Sequence, residues 1–442
     1  MSRTLFGYPR GLAFLFGTEM WERLSFYGMR ALLVGYLVKY LLLPGHVEQV
    51  LFYPEVKALF GTMAPTAQAF SSLVYGSYMG LIYATPLLGG WLADNVIGQR
   101  RTVLIGMVLM AFGHFMMAAE ALLFPALSLL ILGGGLFKAN TTAQVGLLYE
   151  SGNPQRDSAY AIFYIGINLG AFLAPFICGT LGEMLGWHYG FASAGVGILF
   201  GMVIYLWGWR ELPPEPMRTG RASSEPLSPQ EWRSVSALLL LVIPLTLYWA
   251  CNEQQGNTAA LWSIDNTDRA INLFGWHTEI PFTWFQALNP FVIFVFTPWI
   301  LALWRWQGAR QPSSTMKMAM GCFLMTAANL LMAVVAWHGG KAHWLWLTSY
   351  FVIMTLGEIY LFPVSLSLFS KVAPLRIASL MTGVVFLPNF LGGGFLQGYL
   401  GTFWDKMDKP AFFVMIAALA TVAGLLIWAF DRPLRPFLKE KT

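Results

Sequence analysis

Charged side chains are scarce in this sequence. Lys, Arg, Asp and Glu make up only 11% of the 442 residues, whereas hydrophobic residues make up 57%. Soluble domains carry about a quarter charged residues, because their surfaces face water on all sides. The chain also contains 18 Trp and has a mean hydropathy of +0.58. This composition excludes an ordinary soluble domain and predicts an all-α membrane protein that crosses the bilayer many times.

Cysteine is also rare, with three residues in the whole chain. Cys178, Cys251 and Cys322 all lie within apolar runs, where a single thiol usually serves as a small packing residue. We therefore expect no disulfide and no metal site. The formal net charge of +5 raises the question of nucleic acid, but the positions of the basic residues matter more than their sum. Those positions fit a membrane topology, and we expect no nucleic-acid partner.

Apolar segments long enough to cross the hydrocarbon core recur along the whole chain. One crossing takes about 20 apolar residues in a helix, and the sequence predicts twelve such spans. The predicted spans are 11–40, 66–95, 101–120, 124–148, 157–181, 188–209, 233–262, 283–306, 315–337, 343–372, 376–403 and 410–431. The longest polar stretch, rich in Pro, Ser and Arg, lies between the sixth and seventh spans. We therefore predict a six-helix bundle at 1–209, a cytoplasmic linker at 210–232 and a second six-helix bundle at 233–442.

The basic residues indicate how these spans are oriented. If both termini lie on one side, the loops and adjoining span ends on that side contain 18 of the 27 basic residues, those on the opposite side contain six and the span interiors contain three. Cytoplasmic loops are enriched in Lys and Arg, so we place both termini in the cytoplasm of a bacterial inner membrane. Two six-span halves joined by a linker are the layout of the major facilitator fold, whose halves rock around a site near the bilayer midplane.

The loop after the second span, GGWLADNVIGQRR, places Asp94 at a helix end, Gly98 at a turn and then Arg100 and Arg101. A carboxylate at a cytoplasmic helix end followed by paired arginines can hold neighbouring helices together. This loop resembles the loop motif of the major facilitator superfamily, and RWQGAR at 305–310 is a degenerate copy in the second half. An ordinary basic loop is the alternative.

The stretch EMWERLSFYGMR, at 19–30, places four charges within the first predicted span. Steps of three and four residues bring side chains onto one helix face. The residues on this face are Glu19, Glu22, Arg23, Phe26, Tyr27 and Arg30. A charge that faces lipid costs about 2.5–3.5 kcal/mol or more, so we expect the stripe to face the bundle interior or a water-filled cavity. A purely structural ion-pair network is the alternative.

Three other spans each carry an isolated charge: Lys138 in GGGLFKAN, Glu253 in WACNEQQGN and Glu358 in TLGEIYLFPVS. Burying an unpaired charge is costly, and packing alone needs no ionisable group. We therefore expect all three residues to be functional.

Several motifs together resemble the proton-dependent oligopeptide transporters of the major facilitator superfamily. ExxER followed by LSFYG, at 19–28, is similar to that family's ExxERFxYYG signature, and AIFYIGINLGAFLAP, at 161–175, is similar to its fifth-helix signature. FKAN, EQQGN, QALNP and GEIYLFP also match. The resemblance covers essentially the whole chain. It implies a twelve-helix transporter, not an enzyme, that imports di- and tripeptides together with protons.

The resemblance also implies which residues hold the peptide by its ends and backbone. The residues implied to line the site are Tyr27, Arg30, Tyr83, Lys138, Asn168, Trp249, Asn289 and Glu358. Arg30 and Lys138 would meet the carboxylate end, and Glu358 would meet the amino end. A zwitterion needs such fixed opposite charges, and asparagine offers both a donor and an acceptor to an amide. Charge counting together with the resemblance pairs Arg30 with Glu253 and Lys138 with Glu358 as salt bridges between the halves.

For proton coupling, the resemblance implies Glu19 and Glu22 beside Arg23, with Glu253 as a further candidate. It implies no cofactor other than the proton, and we expect a monomer surrounded by membrane lipid. One departure concerns Phe26, which stands where the signature prefers tyrosine. The missing hydroxyl removes a polar contact to the substrate, whereas the ionisable set is complete.

Two other functions remain open at this point. One is a relative in the same superfamily that carries nitrate, an amino acid or a peptide-like drug, and the other is a sensor that binds peptide without moving it. The presence of Arg30 and Lys138 together with Glu358, Asn168 and Asn289 disfavours a transporter for another solute. The complete ExxER set disfavours the second, because a sensor needs no titratable stripe.

Overall fold

The computed structural model describes residues 4–434 except Phe6, 151–152, 154, 214–227, 274–275, 373–380 and 382. These residues form two compact units. Unit 1 contains the described residues up to Gly61 and those from Leu81 to 213, and unit 2 contains Thr62–Gly80 and the described residues from 228 onwards. The interior of the predicted linker at 210–232, and the start of the predicted span at 376–403, lie outside the described residues.

Helices make up most of the described chain. The α-helices are α1 (Arg10–Tyr36), α2 (Tyr53–Phe60), α3 (Ala67–Leu92), α4 (Gln99–Met116), α5 (Leu123–Leu147), α6 (Gln155–Ala174), α7 (Thr180–Met184), α8 (Trp187–Trp207), α9 (Pro229–Asn252), α10 (Thr258–Asp265), α11 (Leu288–Gln307), α12 (Ser314–Trp337), α13 (Trp344–Val372), α14 (Gln397–Gly401) and α15 (Lys409–Leu434). π-Helical segments cover Leu37–Leu41, Ala93–Ile97, Pro175–Gly179 and Asn389–Leu396. Short 3-10 turns cover Val47–Gln49, Gly61–Met63, Glu120–Leu122, Glu253–Gly256, Phe282–Ala287 and Gly308–Arg310.

The strands among the described residues are short and pair in twos. β1 (Thr4–Leu5) pairs antiparallel with β2 (Tyr8–Pro9), β3 (Thr267–Asp268) pairs parallel with β6 (Ala342–His343), and β4 (Ala270–Leu273) pairs antiparallel with β5 (Trp276–Glu279). The first pair precedes α1 and the other two lie in connections between helices, so the fold class is helical as predicted.

Eight helical segments within the described residues are long and apolar enough to cross a membrane. They are Glu120–Leu147, Gln155–Met184, Trp187–Trp207, Glu231–Asp265, Phe282–Gln307, Ser314–Trp337, Trp344–Val372 and Lys409–Arg432. Three further predicted spans coincide with α1, α3 and α4, which contain 27, 26 and 18 residues. A continuous helix satisfies its own backbone hydrogen bonds, which is what a crossing in lipid requires.

In unit 1, α1 packs against α6 and α8, and α4 packs against α5 and α8. A glycine permits the close approach of α6 to the charged stretch of α1. A Cβ atom added to Gly170 would lie only 2.9 Å from Cβ of Arg23 and 3.0 Å from the backbone nitrogen of Leu24. The packing of α6 therefore encloses the charged stripe on this side.

In unit 2, α12 packs against α13 and α15, and α9 packs against α15. Ser228 begins α9 with a capping box, because its hydroxyl accepts from the Glu231 backbone while the Glu231 carboxylate accepts from the Ser228 backbone. This arrangement satisfies amide groups that the first turn of a helix leaves without partners. The seventh predicted span thus starts at a defined residue.

A buried hydrogen-bond network connects the start of α3 with α14 inside unit 2. The Ser72 hydroxyl donates to Asn257 Oδ1 at 2.9 Å, and Asn257 Nδ2 donates to Gln397 Oε1 at 3.1 Å. Gln254 Nε2 donates to the Gln397 carbonyl at 2.9 Å. All four residues are buried, and buried polar groups are expensive to leave unpaired. The network therefore fixes the packing of these three segments.

Substitution of Asn257 by alanine should lower the stability of unit 2. It leaves Ser72 and Gln397 each without one hydrogen-bond partner, and an unsatisfied buried polar group costs about 1–3 kcal/mol. The control is Asn95→Ala, because Asn95 is exposed and its amide bonds only to the Trp91 carbonyl of its own chain segment. Thermal unfolding of the detergent-solubilised protein should show a clear decrease in midpoint for Asn257→Ala only. Equal midpoints for the two variants would contradict the assigned role of the network.

Candidate functional site

The charged stripe of α1 forms a compact ion group in unit 1. Arg23 Nε lies 2.5 Å from Glu22 Oε2 and 3.2 Å from Glu19 Oε1. The pair with Glu19 follows from the helix, since residues four apart lie on the same face. The guanidinium group also lies 5.1 Å from the centre of the Phe26 ring. One cation is thus held by two carboxylates and an aromatic face.

The whole group is removed from the surface of the protein. Glu19 is 2% exposed, Glu22 1%, Arg23 5% and Arg30 5%. The expectation that these charges face the interior is therefore confirmed. Two acids surround one base, so the binding of one proton makes the group of Glu19, Glu22 and Arg23 electrically neutral. This stoichiometry suits a site that gains and loses a proton.

Thr141 of α5 completes the group, and the sequence did not single it out. Its hydroxyl donates to Glu19 Oε2 at 3.0 Å, and Thr141 is fully buried. Thr141 lies one helical turn after Lys138, whose backbone carbonyl is 3.3 Å from the same hydroxyl. Residues three apart on a helix lie on the same face, so the spacing from Lys138 could have indicated Thr141.

Two further cations of the predicted site lie over aromatic rings in unit 1. The Arg30 guanidinium lies 5.6 Å from the centre of the Tyr27 ring, and Lys138 Nζ lies 4.2 Å from the centre of the Tyr83 ring. A cation over an aromatic face gains roughly 0.5–2 kcal/mol. The predicted cations are thus each oriented by a predicted tyrosine.

Asn168, on α6, is buried and donates from Nδ2 to the Tyr164 carbonyl of its own helix at 2.9 Å. An amide carries two donors and an accepting oxygen. This bond uses one donor of Asn168.

In unit 2, Glu358 on α13 accepts hydrogen bonds from two amides. Asn289 Nδ2 donates to Glu358 Oε2 at 2.7 Å and lies 3.2 Å from the Thr355 hydroxyl. Asn252 Nδ2 donates to the same carboxylate oxygen at 3.5 Å. Asn289 was predicted from the sequence, whereas Asn252 and Thr355 were not, although Asn252 directly precedes Glu253 in the recognised motif. Two helices, α9 and α11, thus each supply an amide to the carboxylate of α13.

Trp249 lies in the last turn of α9, and Glu253 begins the 3-10 turn that follows this helix. Trp249 is buried, and its ring meets Phe362 of α13 nearly at right angles, with the ring centres 5.6 Å apart. Glu253 is 3% exposed, and a Cβ atom added to Gly393 would lie 3.0 Å from its Cγ. Glu253 therefore packs closely against the π-helical segment Asn389–Leu396.

The predicted loop motif connects two parts of unit 1. Gly98 adopts a positive φ of 80° at the turn, a conformation that glycine reaches without steric cost. Arg100 donates to the Pro213 carbonyl at 2.7 and 3.0 Å and also to the Leu212 carbonyl. Arg101 is exposed, and Asp94 lies in the π-helical segment Ala93–Ile97. Arg100 therefore links the start of α4 with the chain that follows α8.

The predicted site residues divide between the units. Unit 1 contains Glu19, Glu22, Arg23, Tyr27, Arg30, Tyr83, Lys138 and Asn168, and unit 2 contains Trp249, Glu253, Asn289 and Glu358. Both predicted salt bridges, Arg30 with Glu253 and Lys138 with Glu358, join residues of different units and stay predictions.

Comparison with known proteins gives consistent matches. A model described as PTR2, POT family, matches residues 100–225 and 216–415. A di-/tripeptide transporter of Lactococcus lactis subsp. cremoris is 29% identical over 98% of this chain and 97% of its own length. The uncharacterized transporter YclF of Bacillus subtilis is 32% identical over 95% of this chain and 93% of its own length. Both relatives match over nearly their full lengths.

A crystal structure of the peptide transporter POT in complex with sulfate is 29% identical and covers 99% of this chain and 98% of its own, with a TM-score of 0.85. This likeness shows a helical membrane fold of the major facilitator type.

Replacing Arg23 by methionine should destabilise unit 1 strongly. The change leaves Glu19 and Glu22 buried without their shared cation, and breaking a buried ion pair by removing one partner costs about 3–5 kcal/mol. The matched control is Arg10→Met on the same helix, because Arg10 is exposed. Thermal unfolding in detergent and the yield of folded protein report the difference. Equal stability of the two variants would show that Arg23 does not hold the carboxylates in place.

Proposed function

Because the chain belongs to the POT family, whose characterised relatives here are membrane transporters, we propose that it imports di- and tripeptides together with protons by alternating access. The chain is a transporter and not an enzyme. The observation that carries the proposed substrate is the distribution of charge among the matched motifs. Cations stand over tyrosines in unit 1, and a carboxylate bound by amides stands in unit 2.

The proposal includes twelve membrane spans, with both termini in the cytoplasm of a bacterial inner membrane. Eight apolar segments and the helices α1, α3 and α4 account for eleven of these spans, and the twelfth, predicted at 376–403, starts outside the described residues. The charges of α1 lower its hydropathy, yet they are buried in the protein and do not face lipid. A monomer suffices for the proposed mechanism, since each chain carries the complete set of ionisable residues.

We assign the carboxylate end of the peptide to Arg30 and Lys138 and its amino end to Glu358. Charge-assisted hydrogen bonds are about twice as strong as neutral ones, so they select the two ends that all peptides share. Asn168 and Asn289 are assigned to the peptide backbone. Tyr27, Tyr83 and Trp249 are assigned to the cavity wall. Recognition of shared groups explains why side chains would be tolerated broadly.

We assign proton coupling to the group of Glu19, Glu22 and Arg23, with Glu253 as a second titratable position. Protonation of Glu22 or Glu253 would weaken its attraction to a nearby cation. A bound peptide would then replace the interactions that the cation loses. In the proposed cycle, Arg30 pairs with Glu253 and Lys138 with Glu358 when no peptide is bound. The coupling ion is the proton, and no cofactor takes part.

The substrate class is tested by uptake of labelled dialanine into proteoliposomes, with and without an inward proton gradient. Excess tripeptide, tetrapeptide, free alanine or nitrate serves as competitor. We expect accumulation that depends on the gradient and is blocked by the di- and tripeptides only. Competition by nitrate or free alanine would indicate a transporter for another solute. Binding of dialanine without accumulation would indicate a sensor.

Replacement of Glu22 by glutamine should separate transport from coupling. Glutamine keeps the shape of the side chain but cannot bind or release a proton at this position. Exchange of labelled for unlabelled dialanine should continue, whereas accumulation above the outside concentration should be lost. Glu55→Gln, at an exposed position of α2, is the matched control and should accumulate normally. Uphill uptake by the Glu22→Gln protein would refute the assignment of Glu22.

Replacement of Lys138 by methionine should weaken peptide binding. Methionine keeps most of the length of the side chain but removes the charge, and a hydrogen bond to a charged group contributes about 1.5–3 kcal/mol. The dissociation constant for dialanine should therefore increase about tenfold or more. The same substitution at Lys57, which is exposed on α2, should leave the dissociation constant unchanged. Isothermal titration calorimetry measures both values, and an unchanged constant for Lys138→Met would exclude this contact.

A further inference from the structure

An apolar groove lies between α11, α12 and α13 of unit 2, and its lining includes none of the residues assigned to peptide and proton. It is lined by Ile300, Met320, Phe323, Leu324, Leu356 and Tyr360 and has a volume of about 520 Å³. This volume falls within the roughly 300–1,000 Å³ that is typical of sites for a single ligand. Met320 and Phe323 are 38% and 37% exposed, so the groove opens onto the outer surface of these spans. In a membrane, that surface faces acyl chains.

One end of the groove leads to a positively charged group. Tyr360 meets the Trp304 ring nearly at right angles, with the ring centres 5.5 Å apart. Lys317 Nζ lies 4.2 Å from the centre of the Trp304 ring and donates to Gln311 Oε1 at 2.7 Å. A continuous set of contacts therefore runs from the apolar lining to an ammonium group at the start of α12.

Two exposed arginines lie where α11 joins α12, next in sequence to residues that contact Lys317. Arg305 lies in the last turn of α11, next to Trp304, and Arg310 directly precedes Gln311. Trp306, between these arginines, is 82% exposed, and exposed tryptophans of this kind mark the boundary between lipid tails and head groups. The turn Gly308–Arg310 therefore lies at head-group depth, on the side proposed to be cytoplasmic.

A carboxylate of α15, that of Asp431, contacts the start of α12. Asp431 accepts hydrogen bonds from the hydroxyl groups of Ser313 and Thr315 and is only 3% exposed. Its charge is thus satisfied inside the protein, whereas both arginines face outwards. The exposed charge at this end of the groove is positive.

We propose that this groove binds one anionic phospholipid. One acyl chain lies along Ile300, Phe323 and Leu356, and the phosphate lies near Lys317, Arg305 and Arg310. Basic residues between membrane helices on the cytoplasmic side bind the head groups of anionic lipids, and the adjoining apolar groove supplies the contact for the chain. A neutral lipid satisfies only the apolar part of the site.

The test measures lipid binding to the purified full-length protein by native mass spectrometry. The probes are dioleoyl phosphatidylglycerol, dioleoyl phosphatidylcholine, which has the same chains without net charge, and inorganic phosphate, which has no chains. The wild-type protein should bind phosphatidylglycerol at least about tenfold more tightly than phosphatidylcholine, since each basic residue near an anionic head group contributes roughly a factor of five. Equal affinities for the two lipids, or displacement of phosphatidylglycerol by inorganic phosphate, would overturn the proposal.

Two variants with matched controls test the two parts of the site separately. The double variant Arg305→Gln, Arg310→Gln should reduce the preference for phosphatidylglycerol to about fivefold, the contribution of the remaining Lys317, whereas Arg210→Gln, Arg233→Gln, at two other exposed arginines, should retain the full wild-type preference. Met320→Trp fills the groove and should lower the affinity for both lipids. Val334→Trp, at a position 59% exposed on the same helix, should leave both affinities unchanged. An equal effect of either variant and its control would overturn the proposal, and none of these outcomes depends on transport.

Discussion

The burial of two carboxylates around one guanidinium group is the constraint on which unit 1 depends. Glu19, Glu22 and Arg23 together expose almost nothing to solvent, and charges in such surroundings are tolerated only when they are paired and hydrogen-bonded. The close approach of α6 at Gly170 and the hydroxyl of Thr141 on α5 follow from this requirement. Because Thr141 lies one turn from Lys138, its hydrogen bond to Glu19 connects the ion group with the stretch of α5 that carries a proposed peptide-binding lysine.

In unit 2, side-chain amides rather than a cation donate hydrogen bonds to a carboxylate. Asn289 and Asn252 both donate to Glu358, and another set of amides connects the start of α3 with α14. Amide groups can form these bonds without changing their own charge, whereas a carboxylate such as Glu358 can also accept a cationic amine. The amides of α9 and α11 therefore position the charge of Glu358, whereas the ion group of α1 pairs two carboxylates with one guanidinium.

The sequence predicts contacts within a single helix well and contacts between distant segments poorly. Spacing on a single helix was enough to predict the buried face of α1 and the pairing of Glu19 with Arg23. Family motifs singled out Asn289 and Glu358, but their contact depends on the packing of α11 against α13, which no local pattern encodes. The acceptors of Arg100 are backbone carbonyls of Leu212 and Pro213, more than a hundred residues away. Backbone acceptors have no signature in the amino-acid sequence, so this connection required the structure.

The central claim is that the buried acid group couples a proton to each cycle of peptide transport. The most direct test adds dialanine to proteoliposomes without an imposed gradient and follows the external pH with a membrane-impermeant dye. The account predicts that peptide entry makes the outside medium more alkaline in the wild-type protein, whereas the Glu22→Gln protein exchanges peptide without a change in pH. Peptide entry without proton movement in the wild-type protein would contradict the account.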